Sequence, residues 1–264
     1  MKSASVFGGV LLLASLAVLA APNSPGRVQA FARLPNWTGL WETFSSKAIT
    51  NPAGRSARFV GASSPLAGHP PYNPDWERKY QAALSDRAAA AREALTTKSC
   101  GAGTPAFASN FPLILERPLV LEIAVTPEVT LFVMDRGGVR HIYTDGRSHP
   151  GKDDLWPTPL GDSVGHWEGQ TLVIDTVATP PGRISLFTPA ELSEQAHFIE
   201  RLRLLDENTL EDELTIEDSV SLARPWTMRL QFTRVQDLTR FIPYDCEADR
   251  NPVENGKVGI APIQ

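Results

Sequence analysis

The chain is poor in the residues that usually announce a chemistry. It has only two cysteines, Cys100 and Cys246, and five histidines in 264 residues. No Gly-x-Gly-x-x-Gly or Walker sequence opens a helix, which argues against a nucleotide cofactor, and no Ser-x-x-Lys pair is present. Gly161-Asp162-Ser163-Val164-Gly165 fits G-x-S-x-G in letters alone. A nucleophile elbow needs a helix after the serine, and here a strand pattern follows. There is no basic excess: the formal net charge is −5, a poor match for nucleic acid or an anionic membrane surface. No long apolar run follows the first twenty-odd residues.

That first run sets the expected compartment. Lys2 precedes "ASVFGGVLLLASLAVLAA", which Pro22 ends abruptly. This is a charged n-region and an apolar h-region, too short for a convincing membrane span, so residues 1–30 read as a signal peptide. Small-residue cleavage sites lie after Ala20, Ala21 and Ala30, and Ala30 leaves "FARLPNWTGLW" to open the folded part. Cleavage there removes two cations and no acid, taking the net charge from −5 to −7. The expectation is a periplasmic or secreted protein with no stable membrane insertion after cleavage. In an oxidising compartment, Cys100 and Cys246 then read as a structural disulfide.

The remainder divides in two. Residues 31–112 are an irregular N-terminal extension, with a helix expected over about 75–96. Asn73 or Asp75 is placed to cap it, Pro74 suits its first turn, and its alanine-rich body favours helix. Trp76, Tyr80, Leu84 and Leu95 give it only a narrow apolar stripe, fit to pack outside a barrel or over its mouth. From 113 to 264 the pattern is strands and turns, forming one unit with 31–112. "LVLEIAVTPEVTLFVMDRGGVRHIYTDG" reads as three strands broken at Thr126-Pro127 and at "DRGG". "SVGHWEGQTLVIDTVA" and "AHFIERLRLLDENTLEDELTIEDS" read as hairpins, and "PWTMRLQFTRV" as a last strand. About eight strands without alternating helices predict a mainly β fold, an antiparallel meander closing as a barrel or a strongly curled sheet.

Period-two alternation assigns faces. Glu200 shares a row with Phe198, Leu202 and Leu204, and Asp212 shares one with Leu210, Leu214 and Ile216. Two acids are therefore expected to point inward, where burial favours the protonated form unless a cation pairs with them. Arg140, Arg147, Arg201 and Arg229 are the candidate partners. Glu211, Glu213, Thr215 and Glu217 make the opposite, solvated row. Along "HIYTD", His141, Tyr143 and Asp145 share a face, and along "VGHWE" His166 shares one with Glu168. If these strands neighbour each other, two imidazoles, a phenol and carboxylates converge. The plainer alternative makes "DGR" a turn, with Asp145 bonding local backbone, Gly146 at positive φ and Arg147 paired with an acid. Histidine spacings match no compact ligand motif, so no metal is assigned, and no cofactor is expected.

Two resemblances follow. "IYTDGRSHP", "SVGHWEGQTLVIDT", "ERLRLLDENTL", "TIEDS", "RPWT" and Cys246-Glu247 resemble, in order, an uncharacterised family of secreted bacterial proteins. This chain has Gln170 where that pattern carries an aspartate. The resemblance implies that these segments form one unit, and it implies no activity. "WTGLWE" is similar to the Gly-x-Trp opening of lipocalin-like barrels, which implies a ligand-holding interior. The function expected from the residues is cofactor-independent acid–base chemistry of lyase, dehydratase or isomerase type on a small, partly apolar molecule. In that scheme His141 and His166 are base and acid. Tyr143 and Arg147 stabilise negative charge, and Glu200 or Asp145 orients a histidine. Arg147, His149, Trp167, Arg201 and Asp212 line the substrate. The alternatives are a non-catalytic small-ligand carrier and a structural envelope protein.

Overall fold

A computed structural model describes residues 25–43, 65–86, 111–116, 120–134, 138–185 and 188–236, with the backbone of 253–254 and 257–258. Cys100, Cys246 and residues 1–24 lie outside that set. The chain forms two compact units, residues 1–33 and 34–264. In the first, helix α1 spans Pro25–Arg33. No described helix is long and apolar enough to cross a membrane.

The second unit is built on a closed barrel of nine strands. In chain order they are β1 (Gly39–Thr43), β2 (Val120–Val125), β3 (Val129–Met134), β4 (Val139–Tyr143), β5 (Asp162–Glu168) and β6 (Thr171–Val177). After a small pair outside the barrel, β7 (Gly182–Arg183) with β8 (Glu191–Leu192), come β9 (His197–Asp206), β10 (Thr209–Glu217) and β11 (Trp226–Arg234). Around the ring the order is β1-β11-β10-β9-β6-β5-β4-β3-β2. The hairpins fall where alternation and turn residues place them, and β1 carries the Gly-x-Trp sequence.

One join departs from an antiparallel meander, and it has a geometric cause. A closed ring with an odd number of strands cannot alternate direction throughout. At least one neighbouring pair must run parallel, and here it is β4 with β5, joined only at Ile142–Ser163 and Tyr143–Val164. A parallel join needs a return connection, so "TDGRSHPGKDDLWPTPLG", residues 144–161, is a crossover rather than a hairpin turn. Because the overlap is so short, the first residues of β4 have no strand beside them on that flank. Residues 158–161 stand there instead. Gly161 makes the approach possible: its φ is +70°, and a Cβ would sit 2.7 Å from the Val177 carbonyl.

The lumen is filled by side chains. Trp41, Leu121, Ile123, Phe132, Ile142, Leu172, Ile174, Phe198, Leu202, Leu214 and Phe232 are all buried. The short helix Leu113–Glu116 and Phe111 close one end, where the Phe111 ring meets Phe198 edge-on at 5.0 Å. At the other end Trp37 is buried against Trp167, with ring centroids 5.2 Å apart. The expected ligand-holding interior is therefore occupied by the protein's own aromatics.

The second helix, α2, spans Pro74–Ser85, with residues 87–96 of the longer expected helix outside the described set. Asn73 caps it, accepting from the Asp75 and Trp76 amides, and Pro74 occupies its first turn. The same Asn73 donates to the Val220 carbonyl, and Tyr72 donates its hydroxyl to the Glu191 carbonyl. These bonds fix the helix beside the β10–β11 connection, outside the barrel.

Candidate functional site

The polar residues sort into three places. The first is the lumen. Glu200 and Asp212 both face inward, as their apolar row neighbours require. Arg140 meets Glu200 through both guanidinium nitrogens, Nη1 at 2.9 Å. The same side chain donates to Thr176 at 2.8 Å and to Ser163 at 3.3 Å, and the Phe111 ring covers it 4.1 Å from the guanidinium carbon. This pair is the cation the inward acid needed. Asp212 has no such partner among the described residues, where neither oxygen makes a well-formed hydrogen bond. Burial pushes its carboxyl well above the usual carboxylate range, and the charge of Glu200 pushes the same way against the pull of Arg140. Asp218 shows the contrast. Burial alone would raise it too, but bonds from the Ser221 and Ser193 hydroxyls and amides hold its carboxyl low.

The second place is the outer wall of β5, β9, β10 and β11, where charges form cross-strand pairs. Arg201 binds Glu168 at 2.6 Å, Glu168 also faces His166 at 3.3 Å, and Arg229 binds Glu213. His166 is well exposed. One member of the row expected to be solvated is not: Glu211 is only 7 % exposed, with Arg203 reaching across to it at 2.9 Å. Long arginine stems cover their neighbours even on an outer face.

The third place is the crossover and the seam it spans. "DGR" is indeed a turn: the Arg147 amide donates to Asp145 Oδ1, and Gly146 has φ +84°. Arg147 doubles back to grip both Asp145 oxygens and sits over Tyr143, its guanidinium carbon 3.9 Å from the ring centre. Tyr143 in turn stacks with His141 at 6.0 Å. These rings form one wall of a cleft of about 450 Å³, completed by Gly138, Val139, Leu160 and Asp162. Arg140 and Ser163 of the lumen network also line it. The His141 ring makes no hydrogen bond to the described residues.

Asp162 leads from the cleft into a chain of five titratable groups. Its Oδ1 lies 2.5 Å from His149 Nδ1, and His149 Nε2 lies 3.1 Å from Asp175 Oδ1. The same oxygen is 2.8 Å from His197 Nε2, and His197 Nδ1 is 3.3 Å from Glu217. The hydrogen bond to Asp175 raises the pKa of His197 against burial, with the charges of Asp175 and Glu217 adding to it. Bonds from His197 and His149 hold Asp175 low.

The expected convergence of His141 and His166 does not occur. Alternation correctly grouped the residues of each strand, but it assigned no side of the wall. Arg140 and Ile142 of β4 and Ser163 of β5 are the inward residues, so both histidines face outward. His141 joins Tyr143, Asp145 and Arg147 at the seam, while His166 sits with Glu168 and Arg201 on the outer ladder. Glu200 and Asp145 each hold an arginine and orient no histidine. Trp167 packs into the core end, and Asp212 is sealed in the lumen. His149 was expected at the site, but its partners Asp162, Asp175, His197 and Glu217 were not. An acid in the apolar run "LVIDTV" was the signal available for Asp175. Among the described residues no group of three or more His, Cys, Asp or Glu is arranged to hold a metal ion.

The fold and site thus define a closed β-barrel with a polar cleft at its parallel seam. No family model, curated protein or solved structure matches the chain.

Proposed function

We propose that this barrel binds a small, partly apolar molecule in the seam cleft and acts as its carrier. The observation that carries the reading is the gap left by the two-residue parallel join. There the wall opens beside Val139 and Leu160 on one hand and His141, Tyr143 and Asp162 on the other. Ligand clefts of roughly 300–1,000 Å³ typically combine apolar walls with a few placed polar groups. The His141 and Tyr143 rings that line it offer aromatic surface to a ring or an unsaturated chain. The leader-like residues 1–30 support a periplasmic or secreted site of action, which fractionation of the expressed full-length protein tests.

A second reading, acid–base catalysis of lyase or isomerase type, is favoured by one observation: the His141 ring lines the cleft with neither nitrogen bonded to a described residue, as a general acid or base requires. Saturation-transfer NMR with a set of small aromatic and aliphatic acids and alcohols tests the carrier. Val139→Trp, which fills the cleft from an already exposed position, should abolish binding, and His166→Ala should leave it unchanged. Equal binding by Val139→Trp and the native protein would refute the assignment. Turnover of a bound molecule, lost in His141→Ala with binding kept, would select the catalytic reading.

A further inference from the structure

The five-group chain has a property that ligand binding at the cleft does not use. A neutral imidazole has one N–H donor and one acceptor nitrogen. Here each of two rings faces carboxylates with both nitrogens: His149 between Asp162 of β5 and Asp175 of β6, His197 between Asp175 and Glu217 of β10. With the carboxylates ionised and able only to accept, all four hydrogen bonds coexist only when both rings are doubly protonated. Removing one proton from either ring turns a nitrogen lone pair toward a carboxylate oxygen, and that contact becomes repulsive.

The position of His149 makes this matter. Among the described residues, its two bonds are the only hydrogen bonds by which residues 145–157 reach the barrel. The Asp145–Arg147 pair and the Asp154–Gly151 bond are internal to the segment. The next ties come at the far end, where the Thr158 amide donates to Ala178 and Pro159 accepts from the Phe111 amide. We propose that Asp162, His149, Asp175, His197 and Glu217 form a proton-operated latch, which holds the crossover to the barrel wall by both nitrogens of a charged His149 and loosens that hold when the ring is neutral.

The direction of the pH response follows from the two shifted groups. The contribution of His197 is fully present below the ordinary imidazole value of about 6.5 and is lost as pH rises through its elevated value. The contribution of Asp175 is present above the ordinary aspartate value and is lost as pH falls through its depressed one. All four bonds are therefore present together in mildly acidic solution, and the chain begins to lose them on the alkaline side. The other charge near this end is Arg147, gripped by Asp145 and within electrostatic range of Asp162. Residues 158–161, which wall the cleft, keep their own ties to Ala178 and Phe111, so the motion of the crossover is separate from the carrier reading.

The test uses ¹⁵N relaxation on the full chain with no ligand present. Backbone order parameters over 151–156 should be near 0.85 at pH 6 and fall below about 0.6 at pH 9. The loss of order should follow the titration of the ring ¹⁵N shifts, and the midpoint of His197 should lie above the ordinary imidazole value. His149→Phe should be mobile at both pH values, and His166→Ala should switch like the native chain. The ring shifts keep the test decisive if His149→Phe does not fold. A crossover equally ordered at both pH values, or motion uncoupled from the ring titrations, would overturn the latch. So would saturable Zn²⁺ uptake at neutral pH that is lost in His149→Ala, since the rings would then serve a metal.

Discussion

Replacing Arg140 by methionine should be among the most damaging single substitutions in the barrel. Arg140 and Glu200 are 3 % and 1 % exposed, so removing the cation strands a carboxylate in the lumen. Breaking a buried pair from one side costs about 3–5 kcal/mol. Secondary losses are small: Ser163 and Thr176 keep their mutual 2.9 Å hydrogen bond, and a methionine sulfur replaces the guanidinium against Phe111. For a unit of about 230 residues, an unfolding entropy of about 2.1 cal/mol/K per residue makes 1 kcal/mol worth about 2 °C, so Tm should fall by about 6–10 °C. The decisive control is Arg140→Met with Glu200→Leu. Well-packed apolar replacements for a buried pair are often neutral or stabilising, so the double variant should recover to within about 1–2 kcal/mol of the native chain. Urea unfolding followed by tryptophan fluorescence gives all three stabilities. A single-variant loss under about 1 kcal/mol, or a double variant as poor as the sum of its parts, would refute the claim that Glu200 depends on this cation.

Three further outcomes follow from the same geometry. Folded Asp212 keeps its proton where the unfolded chain releases it, so it lowers stability by up to about 1.4 kcal/mol per pH unit above the ordinary aspartate value. Asp212→Asn should flatten that part of the urea-stability profile and exceed the native chain at pH 8, and an unchanged slope would contradict the assignment. Gly161→Ala should cost about 3 kcal/mol, since its Cβ meets backbone at 2.7 Å, whereas Gly146→Ala, strained in φ but open in space, should cost about 1 kcal/mol. Equal losses in calorimetry would mean the 158–161 segment does not press on β6 as described. Arg201→Ala removes only an exposed pair and should change stability by no more than about 1 kcal/mol.

Much of the barrel was legible because hairpins are local. Asp206 to Asn208 turns β9 into β10, and Glu168-Gly169 turns β5 into β6, at the places where strand alternation breaks for polar turn residues. The inward rows of Glu200 and Asp212 were legible for the same reason, since apolar neighbours two residues away fix the parity. The parallel seam was not legible. Closing the ring is a property of the strand count, and no local feature of "TDGRSHPGKDDLWPTPLG" distinguishes a crossover from a long hairpin loop. Which side of β4 faces the lumen was not legible because its inward residues include an arginine. A row holding Arg140 looks solvent-facing until Glu200, sixty residues away, supplies the charge that lets it be buried. The imidazole chain escaped notice because its five members come from the crossover and from four different strands. Only the register of the neighbouring strands β5, β6, β9 and β10 brings them to one end.

The most direct test of the central claim, that the site lies at the wall gap of the parallel seam, is a crystal of the full chain soaked with small carboxylates and alcohols. Bound density between Leu160 and the His141–Tyr143 face, with the lumen still filled by Phe111, Phe198 and Trp41, is the predicted result. Density inside the barrel, or at His166 and Glu168 with an empty seam, would contradict it.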